Sequence, residues 1–296
     1  MKLGINTYSY RRELIAGKTD ILTVLERIAA LGAVQAELVP DTPTFKNGWS
    51  ATPELVPQLL KKAQELGIEF SSYTIGANFV TSTAREGAEI DKAEFDAEVA
   101  RVKKEVEIAA SLGCTRMRHD VAYRPADQCG YAQFEKDLPI AADACGIIAD
   151  HAAKYGIVTS IENHGLHFQG SERVTRLVLA VGRDNFRTTV DVGNFVCVDE
   201  DPVVAVRNNM PIASMLHIKD WYIRKKVANP EGWAKTPHGY FRRPATPGYG
   251  DLDLFAIAEI VRESGYDGYA SLEYESGEAI ETGIPHGFKA LQNLFL

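Results

Sequence analysis

Apolar and polar positions recur along this chain in one repeating block. A short apolar or β-branched run comes first. A polar patch follows, then a longer stretch with apolar residues at helical spacing that stops at or near a glycine. The runs that read as strands are 2–8, 33–39, 69–75, 115–120, 158–162, 187–192, 215–219 and 269–274. They are short and apolar or β-branched, as strands covered on both faces must be. The spacing between them predicts helices over 21–31, 53–66, 91–112, 138–155, 171–181, 201–209, 253–264 and 286–295. Thr52 offers an N-cap for the second helix, and Gly32, Gly67, Gly113, Gly156 and Gly182 stand where helices should end.

Strand and helix alternate about eight times in 296 residues, a mean period of about 37. Such alternation implies right-handed βαβ crossovers and a parallel sheet. Eight units favour an α/β (β/α)8 TIM barrel, one domain over 1–296, against an open doubly wound sheet. No G-x-G-x-x-G follows the first strand run, so the dinucleotide fingerprint of the open sheet is missing. No linker or low-complexity tract interrupts the pattern. The longest stretch without periodicity is 221–250, rich in Pro, Gly, aromatic and basic residues. A loop of that length after the seventh strand suggests a lid.

Composition narrows the function classes. Lys+Arg total 32 against Asp+Glu 40, a net charge of −8. That balance argues against nucleic-acid and anionic-membrane partners, which attract clustered basic residues. The four cysteines show no CxxC or zinc-finger spacing, which suits reduced thiols in a cytoplasmic protein. The first residues lack the apolar core of a signal peptide, and no run approaches the length of a membrane span.

In a barrel, chemistry sits where the strands end. The fifth run ends in Glu162, Asn163 and His164. The sixth holds Asp191 and Asn194, the seventh His217, Lys219 and Asp220, and the eighth Glu273 and Glu275. Taken singly, each has an ordinary explanation: Glu162 or Glu273 could pair with Arg118 or Lys219, and Asp191 could cap a turn. Taken together, four successive strands deliver acids or an imidazole to one end, where unpaired charges would repel. Carboxylates with one imidazole are ordinary ligands for Mn²⁺, Mg²⁺, Co²⁺, Fe²⁺ or Zn²⁺. Glu273 and Glu275 share a strand face, so alternation alone does not choose between them.

The motifs IENHG, DVGN, HIKDW and SLEYE, in this order, resemble those of the xylose isomerase-like TIM-barrel superfamily, in its sugar-phosphate isomerase/epimerase branch. The resemblance spans essentially the whole chain. It implies metal ligands at Glu162, Asp191, His217 and Glu273, with Mn²⁺ the foremost ion. By likeness to ketose 3-epimerases it also implies that Glu162 and Glu273 form the acid/base pair, and that Asn194 holds a substrate hydroxyl. The implied activity is isomerisation or epimerisation of a sugar or sugar phosphate, by removal of a proton next to a carbonyl.

Further groups stand near the expected mouth. Glu37 ends the second strand run and His119 the fourth; His119 is a candidate base or substrate partner. His164 is placed to touch substrate or orient a ligand, and Lys219 to hold a substrate oxygen. Trp221 and Arg224 open the long loop, where aromatics stack on sugar faces and Arg grips phosphate or carboxylate. The loop is longer than in compact ketose epimerases and leaves room for a larger, glycosylated or phosphorylated substrate.

The rival reading is a lyase on the same site: a C-glycoside deglycosidase or 3-oxo-glycoside lyase subunit, or an inosose dehydratase. The deglycosidase reading brings a small partner subunit, and barrels of this branch are often homo-oligomers. An endonuclease IV-like repair enzyme would need a three-zinc cluster and a basic groove, which seven histidines and the charge of −8 oppose. Intact Glu162 and Glu273 speak against an inert sugar-binding protein.

Overall fold

A computed structural model of the chain describes residues 1–43, 45–80 and 91–296. Eight parallel strands close into a barrel. They are β1 (Lys2–Asn6), β2 (Gln35–Leu38), β3 (Glu69–Ile75), β4 (Arg116–His119), β5 (Val158–Glu162), β6 (Phe186–Asp191), β7 (Ala213–Ile218) and, last in sequence, β11 (Tyr269–Leu272). Each strand pairs with its predecessor in this series, and β11 closes the ring on β1. Closure leaves no exposed edge, and almost every residue of these strands is buried.

The helices surround the barrel: α1 (Arg11–Ile15), α2 (Ile21–Ala30), α3 (Val56–Leu66), α4 (Lys92–Ser111), α5 (Tyr131–Ala153), α6 (Ser171–Val181), α7 (Pro202–Asn209), α8 (Leu254–Glu263) and α9 (Ile280–Phe295). Their starts follow from local chemistry. The carboxylates of Asp20, Asp91, Asp201 and Asp253 accept backbone N–H bonds from the first turns of α2, α4, α7 and α8. Gly67 and Gly182 end α3 and α6 in the left-handed conformation that glycine adopts without strain. Regular α3 starts at Val56, and Thr52 holds the turn that leads into it, its hydroxyl accepting from Leu55 N–H at 3.3 Å and its carbonyl from Val56 N–H at 3.0 Å.

Two helices begin upstream of their predicted starts. The helices expected from 138 and 286 begin at Tyr131 and Ile280, and each carries its proline inside, Pro139 and Pro285. A proline costs a helix one N–H bond and some steric clash, which the tertiary packing of Phe134, Ala141, Ile284 and Phe288 outweighs here.

The stretch 221–250 is not an irregular loop. It folds into a small antiparallel sheet of β8 (Asp220–Arg224), β9 (Ala234–Lys235) and β10 (Phe241–Ala245), with β10 in the middle. Asp220 fastens both ends of this insertion. Its carboxylate accepts backbone N–H bonds from Trp221, Gly248, Gly250 and Leu252 at 2.8–3.2 Å. A Cβ at Gly250 would stand 2.1 Å from Asp220 Oδ1, so the close approach requires glycine there. Cys114, Cys129, Cys145 and Cys197 are free thiols. No described helix is long and apolar enough to cross a membrane.

A buried ionic group ties the loops that follow β4 and β5. Asp137 on α5 is fully buried and accepts from Arg124 Nη2 at 2.7 Å, and lies 2.7 Å from His167 Nε2. Burial works against a charged Asp137, but the bonds from His167, Arg124 and Gln133 outweigh it and hold its pKa at about 2. A depressed carboxylate stabilises the fold above its unfolded pKa, and that contribution fades as pH falls toward the folded value. Asp137→Asn should therefore cost about 3–5 kcal/mol near neutral pH by leaving Arg124 buried beside a neutral group. The gap from wild type in urea unfolding should narrow by about 1 kcal/mol on going from pH 6 to pH 3. A gap independent of pH would remove the ionic explanation.

Candidate functional site

The ends of β5, β6, β7 and β11 point at one spot. Glu162 and Asp191 are the last residues of their strands, His217 is the fifth residue of β7, and Glu273 follows β11. Strand register aligns them: Asp191 pairs with His217, and His217 with Ser271. One ligand atom from each of the four residues lies within 4.8 Å of the others, and all four are buried. Glu275 stands apart from this group and accepts from Lys219 Nζ and the Tyr8 hydroxyl, both at 3.1 Å.

Each donor is held from behind. The Nε2–H of His217 donates to both oxygens of Glu37, at 2.9 and 2.8 Å. That leaves Nδ1 facing Glu273 at 3.0 Å and Glu162 at 3.5 Å, without a well-formed hydrogen bond. Asp191 uses Oδ1 to accept from the N–H groups of Gly193 and Asn194 at 2.8 and 2.9 Å. Its Oδ2 is buried without a hydrogen bond, with Lys219 Nζ at 3.1 Å. Glu162 is oriented by Arg118 Nε and by the side-chain amide of Asn194, at 2.8 and 2.9 Å. Glu273 accepts from Lys219 at 2.8 Å. Gly193 makes room for this packing, since a Cβ there would stand 2.6 Å from Lys219 Cγ and 2.9 Å from Trp221 Nε1.

The electrostatics are lopsided. Six buried or half-buried carboxylates (Glu37, Asp120, Glu162, Asp191, Glu273 and Glu275) crowd around two permanent cations, Arg118 and Lys219. Burial would raise Glu162 and Glu273. Arg118 and His217 outweigh it at Glu162, and chiefly Lys219 at Glu273, which is held at about 2. Asp191 goes the other way: burial, with Glu273 and Glu162 close by, pushes it up to about 7 against the pull of Lys219. Burial disfavours a charged His217, yet Glu37 and Glu162 raise its pKa well above the ordinary value. The donor set fits a divalent cation on three counts. Its surplus of negative charge would be offset by one. Asp191 Oδ2 and His217 Nδ1 are buried without hydrogen bonds. The proton of His217 is fixed on Nε2 by a carboxylate, as it is in metal-bound histidines.

Above the four donors lies a cavity of about 480 Å³. Glu162, Glu273, His164, Asn194, Lys219 and Trp221 line it, as do Tyr8, Phe45, Arg118 and Arg242. His164 Nδ1 lies 3.3 Å from Asp120, which raises its pKa against burial. Three expected site residues lie elsewhere. Glu37 does not line the cavity; it sits behind His217, where Thr74 also donates to it at 2.5 Å. His119 is fully buried on the side of β4 opposite Arg118, against Phe79 and Phe186, with Nδ1 on the Asp120 carbonyl. Burial lowers its pKa to about 4. Arg224 is exposed and paired with Asp251. The pairings of Glu162 with Arg118 and of Glu273 with Lys219 do form, inside the cluster rather than in place of it.

With this geometry in view, comparison with known proteins adds lineage. The sequence model of the xylose isomerase-like TIM barrel family matches residues 25–294. An inosose dehydratase of Lacticaseibacillus casei is 27% identical over 154 residues, a match that spans about half the length of each protein. An inosose dehydratase of Geobacillus thermodenitrificans is 25% identical over 243 residues, 79% of each. Among solved structures, the IolI protein with a bound zinc atom superposes with a TM-score of 0.72 at 17% identity, covering 99% of this chain and 96% of that one. D-psicose 3-epimerase with D-fructose gives 0.68 at 20% identity, covering 98% and 90%. At these identities the structural matches speak for the fold.

The contact between Glu37 and His217 sets a test. Glu37→Gln should weaken Mn²⁺ binding by about 10- to 100-fold in isothermal titration, because the histidine loses the carboxylate that fixes its tautomer. An unchanged affinity in a folded variant would show that Glu37 does not orient an ion ligand.

Proposed function

We propose that this chain, which belongs to the xylose isomerase-like TIM barrel family, is a divalent-metal-dependent isomerase or epimerase of a sugar or sugar phosphate. The carrying observation is the convergence of Glu162 and Glu273. They stand on strands separated by two others, yet reach the same few ångströms of the barrel mouth. Two carboxylates arriving from different sides suit removal of a proton beside a carbonyl and its return on the other face. Glu162, Asp191, His217 and Glu273 would hold the cation, with Mn²⁺ first among those that suit oxygen-rich ligands with one imidazole. When bound, that ion supplies Lewis-acid polarisation of the substrate carbonyl.

The chain's own groups do the rest. Glu273 takes or returns the proton, with Lys219 at 2.8 Å stabilising its ionised form. Glu162, fixed by Arg118 and Asn194, serves the opposite face. Lys219 and His164 line the cavity and offer donors to substrate oxygens. Tyr8, Phe45 and Trp221 supply flat surfaces that suit the faces of a carbohydrate.

A second reading is dehydration, favoured by the likeness to inosose dehydratases. It begins with the same proton removal and ends with loss of a hydroxyl instead of return of the proton. Product analysis separates the two outcomes.

Treatment with EDTA should abolish turnover of a panel of ketoses, sugar phosphates, inososes and 3-oxo-glycosides, and Mn²⁺ should restore it. Glu273→Gln should lower turnover by about 100-fold or more without altering the circular dichroism spectrum. In D₂O the substrate should gain deuterium at the carbon next to the carbonyl. Full activity in rigorously metal-free protein, or a near-normal Glu273→Gln rate, overturns the proposal.

A further inference from the structure

The charge on the cavity wall is divided between two structural parts. On the barrel side, the ionised lining groups are paired. Arg118 contacts Asp120 and Glu162, and Lys219 contacts Asp191, Glu273 and Glu275. On the insertion side, Arg242 and Lys235 also line the cavity, and among the described residues neither has a carboxylate partner.

Arg242 is held in a defined pose. It lies on the central strand β10, paired with Ile223 of β8 and Ala234 of β9. Its guanidinium stacks on the indole of Trp221, 4.6 Å from the ring centroid. Arg243 alternates to the other side of the strand, is exposed, and packs on Tyr222 and Trp233. Only Arg242 of the pair faces the cavity.

Two donors here lack acceptors among the described residues. Trp221 is 4% exposed, and its Nε1–H has no partner. The Nε–H of Arg242 is likewise buried without one. Buried donors left unbonded are costly, and a planar guanidinium pinned against an indole is organised for two-pronged contact with an oxyanion. The barrel floor, with its surplus of carboxylates, would repel such a group.

We infer that Arg242, stacked on Trp221 and assisted by Lys235 at the rim, forms an anion subsite that reads a carboxylate or phosphate on the substrate, away from the carbon processed at Glu162 and Glu273. The inference rests on the reading of this cavity as a substrate site and narrows the substrate to anionic sugars. A phosphate ester and a sugar acid share the oxyanion chemistry, so the experiment must tell them apart.

The test is isothermal titration of the Mn²⁺-loaded full chain with D-fructose, D-fructose 6-phosphate and D-fructuronate, for wild type and Arg242→Gln. At least one anionic ligand should bind wild type about tenfold more tightly than fructose, and Arg242→Gln should cut that margin to about twofold or less. The tighter of the two anions identifies the phosphate or the carboxylate as the group recognised. The inference is overturned if neither anion exceeds fructose, the case in which none binds included, or if Arg242→Gln weakens all three ligands alike. Mn²⁺ titrations of both proteins run alongside. Loss of the ion site in wild type would sink the proposed metal chemistry, while the anion margin stays measurable in ion-free protein.

Discussion

The crowding of carboxylates at the mouth of a closed barrel is the constraint on which the rest of this molecule turns. A closed parallel barrel delivers the ends of β5, β6, β7 and β11 to one place, and this sequence puts an acid or an imidazole at each. Like charges that close, out of water, repel by several kcal/mol unless compensated. Arg118 and Lys219 compensate in part, each bridging more than one carboxylate. The remaining excess explains both why His217 is drawn toward its charged form and why a divalent cation suits the same atoms. Asp191 feels both constraints: burial first, then Glu273 and Glu162 close by, raise its pKa although Lys219 is 3.1 Å away.

Support for this cluster comes from residues beside and behind the cavity. Glu37 on β2 holds the outer edge of His217 and is itself held by the hydroxyl of Thr74 on β3. The turn after β6 holds Asp191 by two backbone N–H groups, and the absent side chain of Gly193 admits Lys219 and Trp221. Farther out, Arg124, Asp137 and His167 bind the loops after β4 and β5 to one another. Each of these contacts lowers the freedom of a charged group that would otherwise move away from its neighbours. A site defined by repulsion therefore has to be built on a rigid frame.

Much of this was legible in the sequence, for reasons that differ from part to part. The barrel strands could be read because burial on both faces leaves an unbroken apolar run. The starts of α5 and α9 were hidden because Pro139 and Pro285 look like boundaries, and only packing shows that the helices run through them. The insertion was unreadable by hydrophobic pattern, since β8 and β10 read DWYIR and FRRPA, with cations and aromatics in place of an apolar face. Those strands are held by Asp220, by cations stacked on aromatic rings and by the packing of Trp221 and Ile223 on Val196 and Cys197, contacts without a periodicity. At the site, which strands end in acids was plain, but where each side chain points was not. A register shift between Ala36 and Glu37 accompanies the placement of Glu37 behind His217. Strand alternation sends Arg118 into the cluster and His119 away from it, and residue type alone does not tell which of two neighbours on a short strand points inward.

Two structural parts thus share one cavity and divide its work by charge. The barrel floor is anionic and gathers the four candidate ion ligands; the insertion roof is cationic and aromatic, and it carries Arg242 on a sheet strand instead of a loose loop. The anionic substrate proposed above would be turned by that field before any specific contact forms, its charged end toward the roof and its carbonyl end toward the floor. The floor's geometry follows from strand ends that the barrel itself fixes. The roof joins the barrel at Asp220, through the packing of Trp221 on Val196 and Cys197, and through Asp199, which accepts from the His238 backbone N–H at 2.8 Å. The carboxylates proposed to move protons belong to the barrel strands and the arginine proposed to read an anion belongs to the insertion, so a change at Arg242 leaves Glu162 and Glu273 with their own partners.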